Sequence, residues 1–333
     1  MGRPDLPAHL APKAARDRTA RPRRQRRTMT QQDHSTLSTH RPDGPGQASE
    51  APAGPSPSRT TRPWTPALLY FLGFLAVYLI AVCTPFGQRA ENAVLDLGVL
   101  HDMRTAWIYP WSGAAYGSTP LPPLEMSHTG TLIVGLGVIA VVTLVRRCWW
   151  QGCAAVGVVV ATIGGKEVLR AVLPRPDLIN AREMLIESSF PSGHAIIPAA
   201  LTLGVILVAS PRIRPYVTTV GVLWHACIAA AVQALGHHRP SDVLGSTLLA
   251  CACYSLVTWL LPTAAAPDIT RSPRALPPVA LALSAAVALA AGARSDTLVG
   301  SLVDAAAAFV CAALLWYIAA EGPAHLARRT LAS

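Results

Sequence analysis

Residues 216–262 read YVTTVGVLWHACIAAAVQALGHHRPSDVLGSTLLACACYSLVTWLLP, and this stretch decides the fold. Two runs without charged residues, Tyr216–Gly236 and Val243–Pro262, flank the short polar segment HHRPSD. Each run has the roughly 20 residues that an α-helix needs to cross the hydrocarbon core of a bilayer. The stretch therefore predicts two membrane-spanning helices joined by a short polar turn.

Apolar runs with few or no charged residues recur along the whole chain, which has 333 residues, 51% of them hydrophobic and only 14% charged. Soluble domains usually carry about 25% charged residues, so the composition also indicates a membrane protein. The other runs are Ala67–Pro85, Thr129–Val145, Gly152–Arg170, Val299–Ala319 and two shorter ones that need flanking residues to cross a bilayer, Ala195–Ser210 and Pro278–Ala293. We predict an all-α polytopic membrane helical bundle, with a six-helix core followed by two C-terminal transmembrane helices.

The chain divides into three parts. Residues 1–63 are rich in Pro, Ser, Thr, Gly and Arg, and their twelve Lys/Arg and five Asp/Glu supply +7 of the net charge of +10. Such a segment cannot bury enough apolar surface to offset its ordering entropy, so we expect a disordered, basic cytoplasmic tail. Its arginines suit a solvated tail or contact with anionic lipid headgroups, and we expect no nucleic-acid partner. Residues 64–262 hold the core, and residues 263–333 hold the two added helices and a short cytoplasmic C-terminus.

Arginine pairs on the short loops predict the orientation, because cytoplasmic loops carry an excess of Lys and Arg. With the N-terminus inside and eight spans, every pair falls on the same side: Arg146/Arg147, Arg212/Arg214, Arg271/Arg274 and Arg328/Arg329. This agreement predicts a multi-pass protein of the cell (inner) membrane with both ends in the cytoplasm. The polar segments 174–191 and 236–242 then face the outside or the periplasm.

Three polar clusters lie at those outer helix ends, where charged residues at membrane depth indicate function. The first is Lys166-Glu167 with Arg170, followed by Arg175 between two prolines. Lys166 is one of only two lysines in the chain, so its place inside an apolar run favours a function. The alternative interpretation is an internal ion pair of Glu167 with Arg170.

The second cluster is Phe190-Pro191-Ser192-Gly193-His194. Its turn precedes a helix whose free N–H groups favour anions, and a simple capping turn is the alternative.

The third cluster is His237-His238-Arg239-Pro240-Ser241-Asp242. His238 and Asp242 are four residues apart, so if both lie on the first helical turn they share a face. We then expect the carboxylate to fix the tautomer of the imidazole and to leave its other nitrogen free to attack. A pair of structural histidines is the alternative, and we interpret His237 as structural. Together the three clusters supply cations, N–H donors and two histidines, which suits phosphoryl transfer by charge stabilisation. Neither a metal nor a cofactor is expected, since no cluster of carboxylates accompanies the histidines.

At these residues the sequence resembles the type 2 phosphatidic acid phosphatase family, which includes lipid phosphate phosphatases and vanadium haloperoxidase-like proteins. The family pattern is K-x6-R-P, then P-S-G-H, then S-R-x5-H-x3-D, and the match runs from about Lys166 to Asp242. The resemblance implies that His238 attacks phosphorus and that Asp242 orients it, while His194 protonates the leaving group. It further implies that Arg175, Ser192 and Gly193 hold the phosphoryl oxygens.

Two positions depart from the family pattern. In the first motif the lysine position is Val168, with Lys166 two residues before it and Arg170 two residues after it. We keep both cations as phosphate-binding candidates. In the third motif the Ser-Arg pair is replaced by Ala231-Val232, so the phosphate loses one expected cation, for which Arg239, Arg170 or His237 are possible substitutes.

The sequence therefore predicts a metal-independent, acid phosphatase-like hydrolase that acts through a phosphohistidine intermediate. The expected substrate is a membrane lipid phosphate or diphosphate, such as phosphatidic acid or a polyprenyl (di)phosphate, held in the bilayer. One alternative is a phosphotransferase that passes the same phosphoryl group to an alcohol. Another is a catalytically silent membrane scaffold or carrier, which the missing third-motif arginine favours. The oligomeric state stays open.

Overall fold

A computed structural model describes residues 64–95, 118–121, 124–181, 188–261, 275–293 and 298–330, with side-chain surroundings given for residues 64–95, 128–181, 188–261, 275–293 and 298–320. The predicted tail at residues 1–63 lies outside the described residues, as do Arg271 and Arg274. The helices are α1 (Thr65–Val77, continued by a π-helical turn Tyr78–Val82), α2 (Pro85–Leu95), α3 (His128–Arg146), α4 (Trp149–Val172), α5 (Gly193–Val208), α6 (Arg214–Ala234), α7 (Pro240–Leu260), α8 (Leu276–Ala291) and α9 (Leu298–Thr330).

The predicted all-α membrane bundle is confirmed. Each of the eight apolar runs forms a helix, and six of the resulting segments are long and apolar enough to cross a membrane: Thr65–Val82, α3, α4, α6, α7 and Leu298–Ala320. The two runs predicted to be short, α5 and α8, form apolar helices of 16 residues each. The last helix continues past its apolar run to Thr330.

Two elements were not predicted, because neither has the signature of a long apolar run. Strands β1 (Ser118–Leu121) and β2 (Leu124–Ser127) form an antiparallel hairpin that leads directly into α3. Helix α2 follows α1 after a tight bend at Thr84, whose hydroxyl accepts a hydrogen bond from the Gly87 amide at 3.0 Å. A Cβ at Gly87 would lie 2.2 Å from the Ile80 carbonyl oxygen, so the bend requires glycine.

Helix α5 lies at the centre of the bundle. It packs against α3, α4, α6 and α7, and most of its residues are buried. Helix α1 packs on α7, while α8 and α9 pack together on α6. In this arrangement α4 ends, α5 begins, α6 ends and α7 begins at one end of the bundle, so the three polar clusters meet there.

The opposite end of the bundle carries the loop arginines. The Arg146 guanidinium donates to the Val208 carbonyl, and Arg214 donates to the carbonyls of Ile206 at 3.2 Å and Ala209 at 3.3 Å. These carbonyls end α5 and have no partner within the helix. Two of the arginines used to predict orientation therefore cap α5 at the end opposite the polar clusters.

Candidate active site

The turn before α5 is fixed by three neighbouring elements. Ser192 is the N-cap of α5, where its hydroxyl accepts a hydrogen bond from the Ala195 amide at 3.2 Å. The Ser192 amide donates to the Asp242 carbonyl at 3.1 Å, and the Ser246 hydroxyl donates to the Ser192 carbonyl at 2.8 Å. These bonds join the second polar cluster to the first turn of α7. The hydroxyl of Ser192 is fully buried at the start of the helix.

Phe190 supports the same turn from the side of the membrane core. The Phe190–Pro191 peptide bond is cis, and the Phe190 ring packs 5.1 Å from Phe74 and 5.5 Å from Tyr78, measured between ring centroids. A Cβ at Gly245 would lie 2.5 Å from the Phe190 ring, so α7 approaches this ring as closely as glycine allows. The turn is therefore packed between α1 and α7.

Asp242 connects the helix start to the histidine, as the i,i+4 spacing predicted. Its Oδ2 accepts hydrogen bonds from the Arg239 amide at 3.0 Å and from the Ser189 hydroxyl at 2.6 Å. The same oxygen lies 3.4 Å from His238 Nδ1. Asp242 is fully buried, so it both caps α7 and holds the imidazole of His238 by its Nδ1 side.

The two predicted catalytic histidines meet. His194 Nδ1 lies 3.3 Å from His238 Nε2, with the ring centroids 5.4 Å apart. His238 therefore presents the nitrogen that Asp242 does not hold to the side chain of His194. Two imidazoles at this distance, one of them held by a carboxylate, suit a nucleophile and an acid–base group that act on one bound group.

The structure distinguishes the two candidate cations of the first motif. Lys166 points to the second cluster, because a Cβ built on Gly193 would lie 3.7 Å from its Nζ, and it also forms an ion pair with Glu167. Arg170 is exposed and donates to the Ser188 carbonyl at 3.2 Å. Val168 is 62% exposed, so the position of the family lysine faces away from the cluster. Of the two candidates, Lys166 is the one that lies at the site.

Arg175 lies beside the same cluster with its side chain 4% exposed. Its Nη1 is 3.8 Å from Oε2 of Glu91, a buried residue of α2. Within the described residues, neither Nη1 nor Nη2 of Arg175 has a hydrogen-bond partner. A buried guanidinium with two unused donors suits the oxygens of a phosphoryl group.

The two residues that replace the Ser-Arg pair of the third motif pack in an apolar environment. Ala231 and Val232 lie at the end of α6, in an apolar cluster with Ala291 of α8 and Ala305 of α9. The Val232 carbonyl accepts hydrogen bonds from the amides of both His237 and His238, at 3.0 and 3.2 Å. The side of α6 where the family has an arginine is thus packed against the added helices.

Arg239 and His237, both considered as substitutes for the missing arginine, lie close to the histidines. The buried Arg239 donates to the Ser189 hydroxyl at 2.9 Å and is the N-cap residue of α7. His237 is half-buried, and burial together with the adjacent His238 lowers the pKa of its imidazole. A neutral imidazole supplies no positive charge, so Arg239 is the better substitute of the two.

His128 and Glu91 also lie beside the histidines and Arg175, but they belong to none of the three polar clusters predicted from the sequence. His128 begins α3, and its ring packs edge-on against His194 with the centroids 4.4 Å apart. Glu91, the partner of Arg175, comes from α2. Neither belongs to a local motif, and their proximity to the clusters arises only from the packing of distant elements. The position of His128 directly before the apolar run Thr129–Val145 is a signal for a helix-end residue, but it does not specify a partner. Glu91 lies beyond the run Ala67–Pro85 and has no such signal.

Comparison with known proteins adds one finding. Residues 148–266 match the family model described as PAP2 superfamily, which confirms the resemblance noted from the sequence. The matched segment contains all three polar clusters and most of the six-helix core. No curated protein and no solved structure matches the chain. The family match indicates phosphatase activity on phosphate esters.

Proposed function

We propose that this chain, whose residues 148–266 match the PAP2 superfamily, is a lipid phosphate phosphatase that works through a phosphohistidine at His238. The observation that carries the proposal is the sequence of contacts from Asp242 to His238 to His194, with Lys166 and Arg175 beside it. These residues lie in four different segments. Their convergence supports a phosphoryl-transfer site more strongly than any one motif does.

The reaction has two steps. In the first, Nε2 of His238 forms a bond to phosphorus while the bond from phosphorus to the ester oxygen breaks, and His194 gives a proton to the departing oxygen. In the second, water attacks the phosphohistidine, His194 takes a proton from that water, and the bond from phosphorus to nitrogen breaks. Asp242 stabilises the positive charge that develops on His238.

Lys166 and Arg175 stabilise the charge on the phosphoryl oxygens, together with the N–H groups at the start of α5. Because these groups supply the positive charge, we propose that the reaction needs no metal ion. Hydrolysis should then continue in excess EDTA. A loss of activity that added Mg²⁺ restores would contradict this part of the mechanism.

A groove next to the site favours a lipid as the substrate. It has a volume of about 590 Å³, lies between α3, α5 and α6, and is lined almost entirely by apolar side chains, among them Val134, Val138 and Val220. A volume between about 300 and 1,000 Å³ is typical of ligand pockets. Thr131, another lining residue, is one helical turn from His128, which contacts His194. We assign this groove to one hydrocarbon chain of the substrate.

Substrate chain length tests the assignment. Val134→Trp fills the groove, whereas Ile133→Trp places the same ring on the adjacent residue, which is exposed and does not line the groove. We expect Val134→Trp to lower hydrolysis of a long-chain lipid phosphate and to leave hydrolysis of a water-soluble phosphate ester unchanged, with Ile133→Trp close to the unmodified protein for both. Equal activity of the two variants on the long-chain lipid would exclude the groove as the chain site.

A panel of lipid phosphates, assayed with the purified protein, tests the proposed function as a whole. Release of inorganic phosphate supports the hydrolase, and transfer to an added alcohol at the expense of phosphate supports the phosphotransferase alternative. The absence of both products and of labelled phosphohistidine would indicate the scaffold alternative, which the replacement of the third-motif arginine favours.

We further propose that the site faces the outside of the inner membrane, because Arg146 and Arg214 lie at the opposite end of the bundle and such residues favour the cytoplasm. A periplasm-active reporter fused after Asp177 should be active, and so should a cytoplasm-active reporter fused after Pro211. The reverse pattern at both fusion points would show that the orientation is inverted.

A further inference from the structure

Helix α2 carries buried polar residues on the side that faces the active site. Gln88 is 2% exposed, and its amide nitrogen donates to the Pro176 carbonyl at 2.6 Å while its amide oxygen accepts from the Leu178 amide at 3.2 Å. These two bonds fasten α2 to the segment that carries Arg175. Glu91 follows Gln88 by three residues, so both side chains lie on the same helix face.

Glu91 contacts two different segments of the site. Its Oε1 accepts a hydrogen bond from the Ser241 amide in the first turn of α7, at 3.2 Å. Its Oε2 lies 3.8 Å from Nη1 of Arg175. One carboxylate therefore connects the helix that holds Asp242, just after His238, to the arginine that faces the phosphoryl position.

The contact with Arg175 is an ion pair that leaves the donors of the guanidinium unused. Glu91 Oε2 and both terminal nitrogens of Arg175 are without a hydrogen-bond partner among the described residues. Glu91 therefore holds the guanidinium by charge, while the N–H groups stay available to an incoming anion. Such an arrangement orients a cation for a ligand before the ligand binds.

Three charged groups act on Glu91: Asp242, Arg239 and Arg175. Burial, and then the charge of Asp242, raise the pKa of the Glu91 carboxyl to about 7. When Glu91 and Asp242 are both ionised, their two negative charges balance the positive charges of Arg175 and Arg239. An added phosphoryl anion then meets a cluster of four side chains with no net charge. Protonation of Glu91 leaves this cluster with one net positive charge, which favours the anion.

We propose that Glu91 is a positioning residue that aims Arg175 at the phosphoryl group and takes up a proton from solvent when the anion binds. The identity of the anion rests on the function proposed above. By reciprocity, an anion that favours protonated Glu91 binds more tightly when Glu91 is already protonated. Anion affinity should therefore be highest below about pH 7 and fall as the pH rises through that value.

Sulfate binding tests the proton uptake, because the charge of sulfate does not change in the neutral range. Binding is measured in detergent from the increase in thermal stability with sulfate concentration, and this readout needs no turnover. From about pH 6 to about pH 8 we expect the dissociation constant of the unmodified protein to rise about tenfold, within the usual range for coupled sites of about 5–150-fold. Glu91→Gln should show little of this rise.

Asn92→Ala is the matched control, since Asn92 is the next residue of α2 and is equally buried. It should keep the pH dependence of the unmodified protein. A Glu91→Gln variant that retains the full pH dependence would overturn the proton uptake. This outcome is distinct from a failure of the proposed function: a protein without phosphatase activity could still bind sulfate with the expected pH dependence.

Hydrolysis of nitrophenyl phosphate tests the positioning. Glu91→Ala should lower kcat/KM by about 10- to 100-fold. Each tenfold fall is equivalent to a loss of about 1.4 kcal/mol in transition-state stabilisation. Glu91→Gln should recover most of this loss below pH 7, because its amide oxygen can still accept from the Ser241 amide and the side chain is neutral, as the protonated Glu91 carboxyl is. Equal activities of Glu91→Ala and Asn92→Ala would overturn the positioning role. If Glu91→Ala does not fold, the comparison of Glu91→Gln with Asn92→Ala decides.

Discussion

Helices α3 and α7 are almost alike in length and hydropathy but differ in their surroundings. They have 19 and 21 residues and both are apolar enough to cross a membrane, yet few residues of α3 are buried, whereas most residues of α7 are. Helix α7 holds Asp242, Ser246 and Thr247 inside the bundle, each with a hydrogen-bond partner. Helix α3 exposes large apolar residues such as Val141 and Val145.

This difference indicates that hydropathy identifies a spanning helix without identifying its place in the bundle. Polar groups at membrane depth need partners, so the chemistry concentrates on helices surrounded by other helices. Helix α3 mainly borders the lipid and the groove. Substitutions on the central helices should therefore have large effects on turnover, and those on α3 small ones, with His128 as the exception.

The largest effect is expected at His238, which precedes α7. His238→Ala should abolish both turnover and the covalent phosphate, because it removes the imidazole that Asp242 holds by its Nδ1 side. Rapid-quench trapping of labelled, acid-labile phosphohistidine measures this directly. If the label persists in His238→Ala and disappears in His194→Ala, the two histidines have the opposite roles.

The next effect is expected at His194, in the first turn of α5. His194→Ala should slow hydrolysis of a lipid phosphate by about 10²–10⁴-fold, the usual contribution of a general acid. With nitrophenyl phosphate, whose leaving group is already acidic, the defect should shrink, whereas that of His238→Ala should not. Steady-state kcat values for the two substrates provide the comparison, and an equal His194 defect on both would argue against proton donation.

Two cations one helical turn apart on α4 give a paired prediction. Lys166→Met should lower kcat by about 10²–10³-fold, the loss typical for one group that stabilises charge in the transition state. Arg170→Met should have little effect, because Arg170 is exposed and donates to the backbone carbonyl of Ser188. A larger defect in Arg170→Met than in Lys166→Met would reverse the assignment.

Among the side chains that contact the two histidines, the smallest effect is expected on α3. His128→Phe keeps an aromatic ring against His194 but removes the ring nitrogens, and we expect kcat to fall about tenfold, equivalent to about 1.4 kcal/mol. Because His128 would act through His194, its defect should shrink with nitrophenyl phosphate in the same way. A defect that is the same for both substrates would indicate a packing role alone and would strengthen the contrast between α3 and α7.

Much of the architecture could be predicted from the sequence because each spanning helix is a continuous apolar run. The short α2 and the β-hairpin could not be predicted in this way, since their stability depends on neighbours rather than on their own composition. Gln88, for example, forms bonds with Pro176 and Leu178, far along the chain. The predicted three-part division of the chain stays a prediction.

In the site, too, some contacts follow from the local sequence and others depend on packing between distant elements. The contact of His238 with Asp242 could be predicted because the two residues are only four positions apart, although His238 lies just before α7 and not on its first turn. The choice between Lys166 and Arg170 depends on where α4 ends relative to the turn at Gly193, which spacing alone does not specify. The roles of His128 and Glu91 depend on packing between distant elements, so no local pattern indicates them.

Helix α5 has a further consequence for the surrounding bilayer. Its 16 residues span only about 24 Å at about 1.5 Å per residue, while the hydrocarbon core of a bilayer is about 30 Å thick. Ser192 caps one end, and Arg146 and Arg214 cap the other, so both ends are fixed. The bilayer must thin locally or the turn at Ser192 must lie below the headgroups, at a modest cost per ångström of mismatch. The rate of hydrolysis should therefore depend on the acyl-chain length of the host lipids and be highest in thin membranes.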